Sequence, residues 1–330
     1  MREQQRKIIL LTVALIAISL NIATFASAYP QMFQTTPTKA RDFSAYYIGA
    51  WRLFHNPDKI YSGGAQKGDY PILPRPATFR YAPSFLLIIA PFLFFPYQTA
   101  LVLFNFLQLI LLPAMAIMVY RILRGRSVLI TSAILVLVLL QPLPGLDNLF
   151  QTYRIHMLAT FLNNPSLSSV KDTFSWSYYY NWIDGNAKVL TTFLVLGCFY
   201  FGRRLRPYSS GLCLGLAFFD PRFALISIPL AIVYNRGAIR ALTAGTLGTI
   251  IGSNFLILYH SIGLHYAISM LTQPTGFYAY TWIPFYAVVG LTIINYREIG
   301  SLLKDAVQSL RVRRRTQEYE TLLERASMPA

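Results

Sequence analysis

The feature that most constrains the fold of this chain is a succession of apolar runs separated by short basic clusters. The runs cover residues 8–28, 82–95, 98–120, 127–140, 187–202, 208–219, 222–235, 238–262 and 279–296. Charged residues make up only 13% of the chain, against roughly 25% in a typical soluble domain. So few charges cannot cover a soluble surface. The sequence therefore predicts an all-α, polytopic transmembrane helical bundle and excludes disordered and fibrous proteins.

The basic clusters between the runs predict the topology. The formal net charge is +16, but the cations are not spread along one polar face as in a nucleic-acid-binding protein. They fall in short loops without acids, namely Arg121, Arg124, Arg126, Arg203, Arg204, Arg206, Arg236 and Arg240. Loops of this kind stay on the cytoplasmic side of a membrane. We therefore expect a multi-pass protein of the cell membrane with both termini in the cytoplasm, and no nucleic-acid partner.

The N-terminal run leaves two alternatives. Residues 8–28 are long enough to cross a bilayer, which takes about 20 residues. The end of the run, Ala26-Ser27-Ala28, also resembles a signal-peptidase site. A retained anchor is favoured over a cleaved signal peptide because the run exceeds the usual length of a signal sequence. In either case the chain emerges on the outer side.

The first outer segment, residues 29–79, contains a predicted interfacial helix. Aromatic residues recur at helical spacing between Asp42 and Asn56, at Phe43, Tyr46, Tyr47, Trp51 and Phe54. Such a face suits a helix that lies in the membrane interface. The segment is also rich in cations for an outer loop, including Arg52, and phosphate binding would explain them.

Several runs are too short to cross the membrane alone. We expect 82–95 to form a short or re-entrant helix, and 208–219 and 222–235 to form a hairpin turning at Asp220-Pro221-Arg222. About eight or nine membrane helices result, in a transmembrane domain over residues 1–296. Residues 297–330 form a basic cytoplasmic tail that either meets anionic lipids or is simply solvated.

Four short motifs occur in an order that resembles a known family. They are Asp42-Phe43 followed by Tyr46-Tyr47, then Tyr81-Ala82-Pro83, then Gly185-Asn186, then Gly215-Leu216-Ala217 leading to Asp220-Pro221. This order is similar to that of the polyprenyl-phosphate-mannose-dependent alpha-mannosyltransferases of the glycosyltransferase C superfamily. In that family the corresponding features are an outer-loop Asp, Tyr-Pro-Pro, Gly-Gln, and Gly-Leu-Ala before Lys-Pro. Here Ala82, Asn186 and Asp220 depart from the family residues, and the reversed charge at Asp220 bears on the substrate and on activity itself.

The resemblance implies a transmembrane domain of the glycosyltransferase C type that transfers a sugar from a polyprenyl-phosphate donor to a lipid or glycan acceptor at the outer face. Mannose is the sugar it indicates. It implies Asp42 as the catalytic base, although the same position suits a helix N-cap. It further implies substrate contacts at Tyr46, Tyr47, Tyr81, Asn186 and Asp220.

The chemistry of such a transfer indicates additional residues. The leaving group is a phosphate, so cations that surround it are needed and a general acid is not. The outer-facing cations that fit this role are Arg80, Lys188 and Arg222, each of which would otherwise be an ordinary interfacial anchor. His260 ends the 238–262 run and suits a hydrogen bond to an acceptor sugar. The pattern predicts no metal and no cofactor.

Two further alternatives remain open at this stage. Trp and Tyr residues between 176 and 182 suit either a sugar-stacking platform or a membrane-interface belt. For the whole protein, the rivals are a catalytically degenerate relative acting as a scaffold or partner subunit, and a transporter of lipid-linked sugars. A transporter would carry ionisable groups at mid-membrane depth, and the apolar runs contain almost none.

Overall fold

The computed structural model describes residues 3–33, 42–70, 78–79, 81–140, 182, 185–255, 262, 283–298, 300–301, 304 and 308. Within these residues all regular secondary structure is helical and no strand occurs. The helices are α1 (Glu3–Met32), α2 (Asp42–His55), α3 (Ser84–Ile89), α4 (Tyr97–Ile122), α5 (Val128–Leu139), α6 (Lys188–Arg203), α7 (Pro207–Ala217), α8 (Pro221–Tyr234), α9 (Ile239–Ser253) and α10 (Ile283–Ile294). Short 3-10 turns cover Pro57–Lys59 and Ala90–Phe94. The all-α prediction is confirmed.

Among the described residues, two helices are long and apolar enough to cross a membrane. They are Glu3–Pro30 within α1 and Tyr97–Ile122, which is α4. At about 1.5 Å per residue, both exceed the roughly 30 Å of a hydrocarbon core. Apolar residues on one side of α4, at Phe106, Ile110 and Ile117, are more than half exposed. Outward apolar faces of this kind are what a lipid-facing helix presents, which weakly supports a membrane protein.

The predicted short segments are short in the structure. Residues 84–94 form α3 and a 3-10 turn, whose combined length is too small to cross a bilayer. Helices α7 and α8 follow one another across a short turn at residues 218–220, whereas the sequence predicts a turn at Asp220-Pro221-Arg222. The predicted turn is wrong in its position, since Pro221 and Arg222 already belong to α8, and α7 packs chiefly on α6 and α9. Pro221 begins α8, where a helix tolerates proline because the first N–H groups have no partner in the helix.

Helix α2 differs from the one-sided helix that its aromatic spacing predicts. Every residue from Phe43 to Ala50 is buried, not only those on one face. The helix packs against α3, the turn at Ala90–Phe94 and the start of α4. Phe43 and Tyr46 make ring contacts with Phe104 of α4 and Phe85 of α3 respectively. The first two turns of α2 therefore lie inside the protein, whereas Phe54 near the end of the helix is 60% exposed.

The predicted cytoplasmic loops meet at one end of the protein. Arg6 of α1 donates to the carbonyl of Leu123 at 3.2 Å, which joins the N-terminus to the loop after α4. Arg126 in that loop donates to Asn295 after α10 at 3.3 Å. Asn295 in turn donates to the hydroxyl of Tyr234 at the end of α8, at 3.1 Å. We call this the basic end of the protein.

Residues 82–84 contact the end of α9 and the residue before α8, which are the ends of those two helices that lie away from the loop between them. The backbone N–H of Ser84 donates to Asn254 after α9 at 3.2 Å, and the N–H of Ala82 donates to the carbonyl of Phe219 before α8 at 3.1 Å. The sequence-derived grouping of loops into two sides agrees with these contacts.

Candidate functional site

Asp42 is held by a residue that lies far away in the sequence. Asp42 is the first residue of α2 and is half-buried. The side-chain amide of Asn186 donates to Asp42 Oδ2 at 2.6 Å, across a separation of 144 residues. A hydrogen bond to an ionised group is short and roughly twice as strong as a neutral one. The predicted catalytic residue and a predicted substrate residue are therefore direct partners.

The turn before α6 fixes the amide of Asn186. Its side-chain oxygen accepts the backbone N–H of Lys188 at 3.1 Å, which leaves the amide nitrogen directed at Asp42. Gly185 before it has a φ of +64°, a conformation that suits glycine. A Cβ at Gly185 would lie 2.6 Å from Leu101 and 2.7 Å from Phe43. Position 185 therefore requires glycine, both for its backbone conformation and because a side chain would have no space.

Two tyrosine hydroxyls lie beside this pair. Tyr46 is 1% exposed, and its hydroxyl donates to the hydroxyl of Tyr81 at 3.2 Å. Burial raises the pKa of Tyr46 well above its ordinary value, and the neighbouring Tyr81 and Asp42 raise it further. Tyr46 is therefore a neutral hydrogen-bond donor near the carboxylate. Because the charge of Asp42 affects the pKa of Tyr46, the carboxylate lies close to the tyrosine pair.

The Tyr-Ala-Pro segment joins the end of α7 to this neighbourhood. Tyr81 contacts the ring of Phe219 at 5.9 Å between centroids, in addition to the Ala82–Phe219 backbone bond. Phe219 also stacks on Phe85 at 4.6 Å. Asp220 follows directly and is only 1% exposed. Asp220 thus lies in the same part of the fold as the tyrosine pair, but as a buried residue rather than on an open surface.

The hydroxyl of Tyr47 makes a structural hydrogen bond within the protein. It donates to the carbonyl of Phe95 at 2.7 Å, and the residue is 3% exposed. Burial raises the pKa of Tyr47, so the hydroxyl stays protonated and keeps this bond. Tyr47 ties α2 to the segment before α4 and has a different environment from Tyr46.

The predicted donor-phosphate cations are only partly described. Lys188 begins α6 and is half-buried, and its backbone N–H binds Asn186. The backbone of Arg222 is in the first turn of α8, but its side chain lies outside the described residues, as do Arg80 and His260 entirely. Lys188 is therefore the predicted phosphate contact that the structure brings beside Asp42 and Asn186.

Arg52 is not available for the phosphate binding that the cations of the first outer segment suggest. Its side chain is 3% exposed and binds both carboxylate oxygens of Asp69, at 2.9 and 2.7 Å. It also donates to the carbonyls of Lys59, Ser62 and Gly64 at 3.0, 2.7 and 2.7 Å. All five donors of the guanidinium are used in this way. Arg52 therefore organises the loop after α2, a role that sequence spacing could not show.

Trp182 is the described member of the aromatic segment before α6. It is 4% exposed and contacts Phe25 of α1 at 5.8 Å between ring centroids. Its carbonyl accepts a hydrogen bond from Asn105 of α4. Trp182 is thus packed between α1 and α4 and does not present its ring to a sugar or to an interface. The other aromatic residues of the segment lie outside the described residues.

The arrangement has the chemistry of a single positioned base. Asp42 has the amide of Asn186 as a partner, lies near the Tyr46–Tyr81 hydroxyl pair and is exposed enough to reach a ligand. Within the described part of the chain, no group of three or more His, Cys, Asp or Glu residues is placed to hold a metal ion. A half-buried carboxylate of this kind can accept a proton from a hydroxyl within hydrogen-bond reach.

Comparisons of the chain with protein families, with curated proteins and with solved structures give no match.

Proposed function

We propose that this chain is a membrane glycosyltransferase of the glycosyltransferase C type, which takes a sugar from a polyprenyl-phosphate donor. The observation that carries the proposal is the hydrogen bond between Asn186 and Asp42 at 2.6 Å. It joins two of the four motifs behind the family resemblance, while the contacts of Tyr46 with Tyr81 and of Ala82 with Phe219 join the others. Motifs spread over nearly 180 residues are thus linked by contacts in one part of the fold, as a shared substrate site requires.

In the proposed reaction Asp42 is the base. An acceptor hydroxyl attacks the anomeric carbon of the donor sugar and loses its proton to the Asp42 carboxylate. The bond between the anomeric carbon and the phosphate oxygen breaks, and polyprenyl phosphate leaves with the electron pair. The products are the glycosylated acceptor and polyprenyl phosphate, with the proton on Asp42 passing to water. No general acid is needed because the phosphate is already a stable anion, in contrast to the paired carboxylates of glycosidases.

The remaining roles follow the same geometry. Asn186 holds Asp42 in one orientation, so we assign it as a positioning residue. Tyr81, which is half-buried, offers its hydroxyl to the substrates, and the buried Tyr46 donates to that hydroxyl. Lys188, with Arg80 and Arg222, provides positive charge for the departing phosphate. Mannose is the proposed sugar, and a glycolipid or glycan the proposed acceptor. The protein acts at the outer face of the cell membrane, with eight or nine membrane helices and cytoplasmic termini.

One observation favours a second candidate, a degenerate relative that acts as a scaffold or partner subunit. Asp220 is 1% exposed where the similar family has a lysine. A buried carboxylate near a phosphate site repels the donor unless a cation compensates. On this alternative Asp42 only caps α2.

A transfer assay separates the two candidates. Membranes that contain the protein are incubated with radiolabelled polyprenyl-phosphate mannose, and labelled product is separated from the donor. Membranes of the same cells without the protein are the control. We expect labelled product only when the protein is present. Absence of transfer from mannose, glucose and arabinose donors, with extracts of the host membrane as acceptors, would favour the scaffold.

A further inference from the structure

A cleft opens at the basic end of the protein, away from Asp42. It has a volume of about 490 Å³ and lies between the start of α1 and the end of α4, with α5 behind. Its lining combines the cations Lys7, Arg121 and Arg124 with apolar side chains that include Leu11, Ala116 and Ile117. The volume falls within the range of small-molecule sites, about 300–1,000 Å³.

The charged part of the cleft attracts an anion. All three cations are exposed, so their charges are available to a ligand. Among the described residues that line the cleft, none is acidic. Glu3 lies at the edge of the cleft, where its carboxylate accepts a hydrogen bond from Tyr120 at 3.4 Å. The described lining therefore carries three positive charges and no negative one, which favours a phosphate group.

The apolar part of the cleft restricts the source of that phosphate. Its walls are α1 and α4, which in the described part of the chain are the helices long and apolar enough to cross a membrane. Both carry exposed apolar residues next to the cleft, such as Leu11 at 60% and Ile117 at 57% exposure. A soluble phosphate ester would leave these apolar walls exposed to water, whereas an acyl chain would bury them, which is favourable. Cations that surround a lipid headgroup above apolar helices form a common pattern for anionic lipid binding.

We infer that this cleft binds one anionic phospholipid, with its phosphate against Lys7, Arg121 and Arg124 and an acyl chain along Leu11, Ala116 and Ile117. The site is separate from the proposed transfer site. It ties the N-terminal helix to α4 at the membrane surface, through a lipid that contacts both.

Lipid selectivity tests the inference directly. The purified protein is reconstituted in nanodiscs with equal amounts of phosphatidylglycerol and phosphatidylcholine of identical chains, and native mass spectrometry counts the lipids that stay bound. The cleft variant is Lys7→Gln/Arg121→Gln/Arg124→Gln. The matched control is Arg206→Gln/Arg236→Gln/Arg240→Gln, which removes three exposed cations of the same end outside the cleft. A third variant, Ala116→Phe, fills the apolar wall without a change of charge.

We expect the wild type and the control to retain phosphatidylglycerol over phosphatidylcholine by about tenfold. Each cation near an anionic headgroup raises the affinity for that lipid by roughly several-fold. The cleft variant and Ala116→Phe should lose this preference. Equal loss in the control variant would reduce the effect to general surface charge and overturn the inference. An unchanged cleft variant would also overturn it. If Ala116→Phe keeps the preference while free glycerol phosphate displaces the lipid, the cleft is an anion site and not a lipid site.

Discussion

At the scale of single residues, the proposed chemistry depends on how firmly the carboxylate of Asp42 is oriented. Asn186 supplies one short hydrogen bond, and its own amide is fixed by the backbone of Lys188. A base contributes to rate only when it is held within reach of the proton that it accepts. The Gly-Asn turn and the first residue of α2 therefore act as one unit.

Substitution of Asn186 tests this positioning role. Asn186→Ala removes the donor to Asp42, so we expect transfer to fall by about tenfold, which corresponds to the loss of one charge-assisted hydrogen bond. The donor also stabilises the ionised carboxylate. The acid limb of the pH–rate profile should therefore move to higher pH. Rates measured from pH 4 to 8 show this shift, and Asn186→Gln should recover part of the rate. A lower rate with an unmoved acid limb would make Asn186 merely structural.

Only part of this site could be predicted from the sequence. Asp42, Tyr46, Tyr81 and Asn186 were recognised from short motifs, and they lie together in the fold. The direct pairing of Asn186 with Asp42 was not predicted, because no local pattern encodes a contact across 144 residues. The motif predicts substrate contacts for both Tyr46 and Tyr47, yet adjacent residues on a helix point about 100° apart and meet different neighbours.

At the scale of elements, apolar runs predicted the positions of the helices well, because a helix in an apolar environment must satisfy its own backbone groups. The run at 98–120 became Tyr97–Ile122, and that at 127–140 became Val128–Leu139. The packing of α2 was less predictable. Aromatic spacing shows one face of a helix, but the partners on its other faces come from distant segments.

The loop after α2 gives a prediction about pH. Burial alone would raise the pKa of Asp69, but its hydrogen bonds with Arg52 and with the backbone of Gln66 hold that pKa below its usual value. The contribution of Asp69 to stability is therefore complete above the usual carboxyl pKa and is lost as the pH falls through the lowered value. Asp69→Asn should lower the free energy of unfolding by about 1–3 kcal/mol at pH 7.

Thermal unfolding of both proteins in detergent, from pH 7 down to pH 2.5, measures this difference. We expect the difference in Tm between the wild type and Asp69→Asn to shrink at the acid end. Asp58→Asn, which changes an exposed carboxylate of the same loop, should have little effect at any pH. A difference for Asp69→Asn that is constant over this range would mean that the charge of Asp69 is not involved.

Glycines set the contact between α7 and α9. A Cβ at Gly211 would lie 2.5 Å from the carbonyl oxygen of Leu242 and 2.8 Å from the nitrogen of Thr246. Because these are backbone atoms, the two helices would have to separate. Gly211→Ala should therefore lower Tm by several degrees in a thermal melt, whereas Gly248→Ala, with open space around its Cβ, should not. Equal tolerance of both changes would show that the helices pack less closely than described.

At the scale of the whole molecule, the described contacts separate the basic end from the end that contains Asp42 and Asn186. The loop after α4 and the segment after α10 share the basic end, while Asp42 and Asn186 share the other. Positive charge favours the cytoplasmic side of a membrane. The proposed orientation therefore places the site outside the cell.

Cysteine labelling tests that orientation. Both native cysteines, Cys198 and Cys213, are buried, which gives a low background. Single cysteines at the exposed positions Ala65 and Ser127 are treated in intact cells with a membrane-impermeant thiol reagent. We expect Ala65→Cys to react and Ser127→Cys to react only after the cells are opened. The opposite pattern would invert the orientation, and reaction of both from outside would argue against a membrane crossing between them.

The central claim is that Asp42 is the base for sugar transfer, and Asp42→Asn tests it most directly. Asparagine keeps the size of the side chain, caps a helix about as well as aspartate and can still accept the amide of Asn186. It cannot take a proton from an acceptor hydroxyl. With equal expression and Tm, the rate of transfer from a polyprenyl-phosphate sugar should fall by about 10² to 10⁴, the usual contribution of general base catalysis. Transfer by Asp42→Asn at a rate close to that of the wild type would contradict the account.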